Sequence, residues 1–184
     1  MGRFKVIETG IKDLKEIDFE PFTDSRGYFF EAYNKNDFIK MGITEEFVQD
    51  NESMSSKGVL RGLHFQINYP QSKLVRCLKG KVYDVTVDIR KNSPTYGKYY
   101  GIELTEDNHK MFYIPKNFAH GFLVLSDVAV FTYKVTDFYH PNDEGGIMYN
   151  DPDLNINWPI PNDPNFKILL SDKDKIHPSF KDLK

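Results

Sequence analysis

Cysteine occurs once in the 184 residues, at Cys77, so no internal disulfide can staple the chain. Cys77 lies in an apolar-alternating segment, where a buried thiol is the expected state. Long apolar runs are also missing. None approaches the roughly 18 residues that span a bilayer, and Met1 to Thr9 lack an apolar core followed by a small-residue cleavage site. The expectation is a soluble, cytoplasmic protein with no membrane partner. Excess positive charge is absent too: a formal net charge of -3 offers no global attraction to nucleic acid or acidic lipid, because phosphate-backbone binding needs clustered Lys and Arg. Any anion must be held locally.

No stretch rich in Pro, Gly or Ser divides the chain, and a single domain over residues 1–184 is expected. A hydrophobic fraction of 40% and an aromatic fraction of 15%, mostly Phe and Tyr, suffice for a sizeable core. Alternating segments recur at Lys5 to Thr9, Tyr28 to Tyr33, Val59 to Gln66, Lys73 to Arg90, Lys98 to Thr105, Met111 to Pro115, His120 to Leu125 and Ala129 to Tyr139, and read as short strands. In the clearest, Tyr83, Val85, Val87 and Ile89 share one face while Val82, Asp84, Thr86 and Asp88 share the other. Lys79-Gly80 supplies the turn before it. The best helical signal is two turns around Lys35 to Met41, with Asn34 as cap and Gly42 as stop. Many short strands between Gly, Pro, Asn and Asp turns predict an all-β sandwich or barrel, for which a jelly roll is a suitable form. From Pro141 onward, Pro152, Pro159, Pro161, Pro164 and Pro178 interrupt regular structure, and the tail is expected to wrap the barrel as loops and short helices.

Two histidines stand in suggestive settings. His64 follows Arg61-Gly62-Leu63 on an alternating strand, and His120 sits between Pro115 and Gly121 at a strand entry. Imidazole is both a proton carrier near neutral pH and a common metal ligand. The metal reading lacks a third ligand near His64, since Gln66 occupies the position two residues on, and His109, His140 and His177 lie in polar, turn-like settings expected to face solvent. Tyr133 shares a strand face with Phe131 and Val135; core packing is the plain reading, and a phenol facing a cavity is also a general acid.

Taken together, Asp24-Ser25-Arg26-Gly27-Tyr28-Phe29, Phe47-Val48-Gln49-Asp50-Asn51, Leu60-Arg61-Gly62-Leu63-His64-Phe65-Gln66, Lys73-Leu74-Val75-Arg76, Phe118-Ala119-His120-Gly121-Phe122 and Ser171-Asp172-Lys173-Asp174 resemble the dTDP-4-dehydrorhamnose 3,5-epimerase family, in family order over nearly the whole chain. The resemblance implies a double-stranded β-helix, or cupin-like jelly roll, with short peripheral helices. It also implies a homodimer to which the N-terminal segment contributes, a dTDP-4-keto-6-deoxy sugar as substrate, and no metal or other cofactor.

A 4-keto group acidifies the hydrogens on sugar carbons 3 and 5, and inversion removes a proton from one face and returns one to the other. The reaction therefore needs a base, an acid and a cation for the enolate oxygen. The resemblance assigns the base to His64, oriented by Asp174, the acid to Tyr133 and the cation to Lys73. It further assigns substrate contacts to Arg26, Glu31, Gln49, Asp50, Asn51, Arg61, His120, Glu144 and Lys173. Arg26 and Arg61 suit phosphate oxygens, and Phe29 and Tyr139 offer stacking surfaces for thymine. Competing readings are a mono-epimerase acting on carbon 3 or 5 alone, a non-catalytic nucleotide-sugar binding domain, and a metal-dependent cupin.

Overall fold

Alternation along Lys81–Asp88 builds a strand that is covered on both sides: Val82 joins one apolar cluster and Val85 and Val87 join another. Such double coverage makes this strand central, and the computed structural model, which describes residues 4–183, places it inside one of two large antiparallel sheets. The strands are β1 (Phe4–Glu8), β2 (Lys15–Phe19), β3 (Phe22–Asp24), β4 (Gly27–Phe29), β5 (Gln49–Ser56), β6 (Leu60–Gln66) and β7 (Lys73–Lys79). They continue as β8 (Lys81–Asp88), β9 (Tyr99–Thr105), β10 (Met111–Ile114), β11 (Phe118–Val124), β12 (Val128–Val135) and β13 (Glu144–Gly146). The first sheet runs β1-β2-β10-β7-β12-β5, the second β13-β6-β11-β8-β9, and β3 and β4 form a separate hairpin.

The two sheets share an interior core in which Val75, Cys77 and Phe131 of the first meet Val82, Leu104 and Phe122 of the second. The Cys77 thiol is buried there and donates to the Lys79 carbonyl at 3.0 Å. The outer face of the second sheet, through Leu63, Val85, Ala119 and Leu123, packs under Leu154 and Trp158 of the proline-interrupted tail. Behind the first sheet, Ile17, Leu74 and Met111 pack against Phe38 of helix α1 (Lys35–Lys40), which Asn34 caps by accepting from two backbone amides. A single turn of 3-10 helix, Phe180–Asp182, ends the tail. The architecture is the all-β, cupin-like jelly roll with short peripheral helices. No helix among the described residues is long and apolar enough to cross a membrane.

Several boundaries differ from the sequence reading. Of the alternating span Tyr28 to Tyr33 only Tyr28 and Phe29 are strand, because β3 and β4 close a short hairpin with Ser25-Arg26 at its turn. The span Lys73 to Arg90 divides into β7 and β8 at Gly80, whose φ of +75° suits a glycine turn. Strand β5 carries no apolar alternation; as a sheet edge with an open face, it pairs through its backbone with β12 over its full length. Buried residues occupy every position of β11, so period two is hidden in it.

Candidate active site

Strand register decides which side chains meet. On the first sheet Asn51 pairs with Tyr133 and Tyr133 with Val75, while Gln49 pairs with Val135 and Val135 with Lys73. Paired residues point to the same side, so Gln49, Asn51, Lys73 and Tyr133 all face the interior. On the second sheet His64 pairs with both His120 and Gly146, and Glu144 with Gln66. The space left at this end of the interior is a cavity of about 280 Å³, lined among others by Gln49, Asn51, His64, Lys73, Tyr133, Tyr139 and Glu144. His64 and Tyr133 therefore sit on opposing sheets with the cavity between them.

The tail completes this arrangement. Leu60 donates to the Leu169 carbonyl and Leu169 to the Gly58 carbonyl, pinning the tail beside the start of β6. A few residues later the buried Asp174 brings Oδ1 to 2.5 Å from His64 Nε2, and Ser171 Oγ donates to Asp174 Oδ2 at 2.8 Å. Burial would raise the Asp174 carboxyl, but the hydrogen bonds from His64 and Ser171 hold it down at about 2. An ionised Asp174 accepts only, so Nε2 carries a proton, and it is the neutral His64 ring that offers its lone pair on Nδ1.

Lys73 lines the opposite wall, and burial lowers its ammonium to about 8, with Asp84 pulling the other way. Asp84 is fully buried on β8 and holds His120 Nε2 at 2.9 Å. Burial pushes the Asp84 carboxyl up and the His120 imidazole down, toward the neutral form of each. His120 thus packs in the wall next to the cavity, stacked on Phe131. Burial raises the Tyr133 phenol, Arg61 opposing, so the hydroxyl stays protonated and able to donate. Arg61 itself donates to Ser55 Oγ. Lys173 pairs with Glu144 at the cavity rim, and Tyr139 donates to the same carboxylate.

Other expected contacts lie elsewhere in the chain. Arg26 and Phe29 are on the β3–β4 hairpin, where the Arg26 side chain is 88% exposed and pairs with Asp24, and Phe29 is 72% exposed. They border a different depression, formed by the hairpin itself. Glu31 is exposed and accepts from Asn34, and Asp50 pairs with Lys134 away from the His64 cavity. Within one chain these four residues do not join His64.

The histidine expectations need correction. His109 packs against Phe19, Tyr28 and Phe30, and His140 stacks on Tyr69, so both are half-buried rather than solvent-facing. His177 lies against the dyad, with Nε2 3.4 Å from Asp174 Oδ1 and its ring edge-on to His64. The absence of a compact metal-ligating set also fails: His64, Asp174 and His177 bring candidate ligand atoms within 4.8 Å of one another. Sequence reasoning missed Asp84 and Ser171 as well. Asp84 had a local signal, a carboxylate between valines in the middle of a strand covered on both sides, which demands a buried partner; Ser171 and His177 had none, because their place depends on the course of the tail.

The fold and the cavity define a jelly-roll protein whose interior faces a histidine–aspartate pair on one sheet toward a lysine and a tyrosine on the other. A family model described as dTDP-4-dehydrorhamnose 3,5-epimerase matches residues 8–182. The enzyme of that name from Methanothermobacter thermautotrophicus is 48% identical over 175 residues, which cover 95% of this chain and 94% of the relative. That from Escherichia coli is 50% identical over 172 residues, covering 92% and 91%. The solved structure of dTDP-6-deoxy-D-glucose-3,5-epimerase from Legionella pneumophila, in complex with dTDP-4-keto-L-rhamnose, superposes with a TM-score of 0.94 at 46% identity, covering 98% of this chain and 95% of the other. This chain belongs to the dTDP-4-dehydrorhamnose 3,5-epimerase family.

Proposed function

We propose that this enzyme is an isomerase converting dTDP-4-dehydro-6-deoxy-D-glucose to dTDP-4-dehydro-L-rhamnose by inverting carbons 3 and 5. The observation that carries the mechanism is the placement of His64 and Tyr133 on opposing walls of one cavity. Inversion requires proton removal and return on opposite faces, and two sheets flanking the sugar supply them.

Nδ1 of His64 takes the proton from the carbon next to the carbonyl, while Asp174 holds Nε2–H and stabilises the imidazolium that forms. The electron pair moves to the 4-oxygen, and the Lys73 ammonium stabilises the enolate. Tyr133 then donates to the other face of the carbon. These side chains fill the base, electrophile and acid roles, and the proposed reaction uses no cofactor or metal.

For the substrate contacts, Gln49, Asn51, Tyr139, Glu144 and Lys173 are assigned from within the chain, with Arg61 and His120 holding the walls. The exposed β3–β4 hairpin is assigned to a second copy: in a homodimer Arg26, Phe29 and Glu31 would reach the nucleotide in the partner's cavity, and Asp50 would line the joint. Charge supports the assignment of Arg26, since a diphosphate needs a local cation in a chain of net charge -3. Incubation with dTDP-4-dehydro-6-deoxy-D-glucose should yield the L-configured product, identified by its ring proton couplings; recovery of unchanged sugar at full enzyme occupancy contradicts the proposal.

A further inference from the structure

The His177 side chain is only 9% exposed, yet its Nε2 has no hydrogen-bond partner among the described residues. A buried ring nitrogen left unpartnered is unfavourable and uncommon in a folded protein. The ring is held there closely: a Cβ on Gly146 would come within 2.3 Å of His177, and Gly146 pairs with His64 across β13 and β6. The unpartnered nitrogen lies 3.4 Å from the same Asp174 oxygen that His64 holds at 2.5 Å.

We propose that His64, Asp174 and His177 form a site for a divalent cation of the zinc class, and that its occupation and proton abstraction exclude each other. Two imidazole nitrogens and one carboxylate oxygen are the donor set that such cations prefer. A cation ~2.1 Å from each donor in tetrahedral geometry sets the donors ~3.4 Å apart. Asp174 Oδ1 and His177 Nε2 already have that spacing, and all three donors lie within 4.8 Å of one another. Binding needs the His64–Asp174 pair to open and His177 to close in, with water as a fourth ligand.

Exclusion follows from the tautomer. With Nε2–H donated to Asp174, His64 keeps its lone pair on Nδ1. A cation ligated through Nε2 displaces that proton, which moves to Nδ1, so the ring stays neutral and loses its free base. The cation site itself does not rest on the proposed reaction; the exclusion rests on His64 being its base.

Chelator-treated enzyme titrated with Co2+ is expected to show visible ligand-field bands that saturate at one ion per chain and are bleached by Zn2+. Ring-nitrogen NMR of the unsubstituted protein should shift His64 and His177 together on adding Zn2+. His177→Ala should weaken both ions at least about tenfold, as loss of a donor does. No saturable binding by the unsubstituted protein, or equal affinity in the variant, overturns the site. Zn2+ should also stop substrate deuterium exchange, reversibly on chelation. Bound Zn2+ with exchange intact overturns the exclusion while leaving the site standing.

Discussion

His64 Nε2 and Asp174 Oδ1 lie 2.5 Å apart although 110 positions separate them in the chain. One is delivered by strand β6 and the other by the irregular tail, and neither segment alone contains a base with a fixed tautomer. His64→Ala should lower proton exchange at both sugar carbons by about 10²–10⁴-fold, the usual worth of a positioned base, while dTDP binding persists. Asp174→Asn should cost a comparable factor, because an amide can stabilise the wrong tautomer. Normal exchange rates in either variant, measured by proton NMR in deuterated water, remove the dyad from the mechanism.

Lys73 sets an alkaline limit. Its ammonium, lowered by burial to about 8, is present below that pH and lost above it, so kcat/KM, which reports groups of the free enzyme, should decline as pH rises through about 8. Unfolded, the same lysine titrates near 10.5. Between those values the unfolded chain binds more protons, so this group makes the fold more stable as activity falls. Lys73→Arg should move the limb upward, and Lys73→Met should lose about 10²–10³-fold in kcat. A limb unchanged in the arginine variant would assign it to another group.

Tyr133→Phe separates removal from return. Initial wash-out of the carbon-bound proton should continue at a substantial rate, because His64 is untouched, whereas net inversion should fall further. Equal losses in the two rates contradict a separate acid on the first sheet.

The β3–β4 hairpin makes a prediction about pairs of chains. If Arg26 serves the partner's cavity, His64→Ala and Arg26→Ala chains, each impaired alone, should regain activity on subunit mixing. Random pairing restores about one quarter of the sites, since half the dimers are mixed and each has one complete cavity. No recovery after verified mixing would place Arg26 in its own chain's site or in none.

Backbone conformation offers a stability test remote from the cavity. At Gly80, with φ of +75°, a Cβ would lie 2.1 Å from the Val128 carbonyl oxygen. Gly80→Ala should therefore destabilise the fold by about 1–3 kcal/mol, read as a lower denaturant midpoint. An unchanged midpoint would mean that the β7–β8 turn relaxes freely.

Much of the fold was readable where one physical rule dominates a segment. β8 alternates because its outer face, with Val85 and Val87, packs under the tail, β12 because its interior face carries Ala129 and Phe131, and α1 announces itself through the Asn34 cap. β5 was not readable, since an edge strand held by backbone pairing needs no apolar pattern. The same holds for β13, three residues long with two glycines. For the cavity, motif resemblance named His64, Lys73, Tyr133 and Asp174, but spacing could not bring together residues from β6, β7, β12 and the tail. Register did so. Arg26 and Phe29 illustrate the converse: matching motifs name them, while the single chain holds them outside the cavity.

The most direct test of a base and an acid on opposite walls is proton NMR of the purified enzyme with dTDP-4-dehydro-6-deoxy-D-glucose in deuterated water with chelator present. Deuterium should enter at both carbon 3 and carbon 5 as the L-configured product accumulates. Exchange at one carbon only, or none with the sugar bound, would contradict the account.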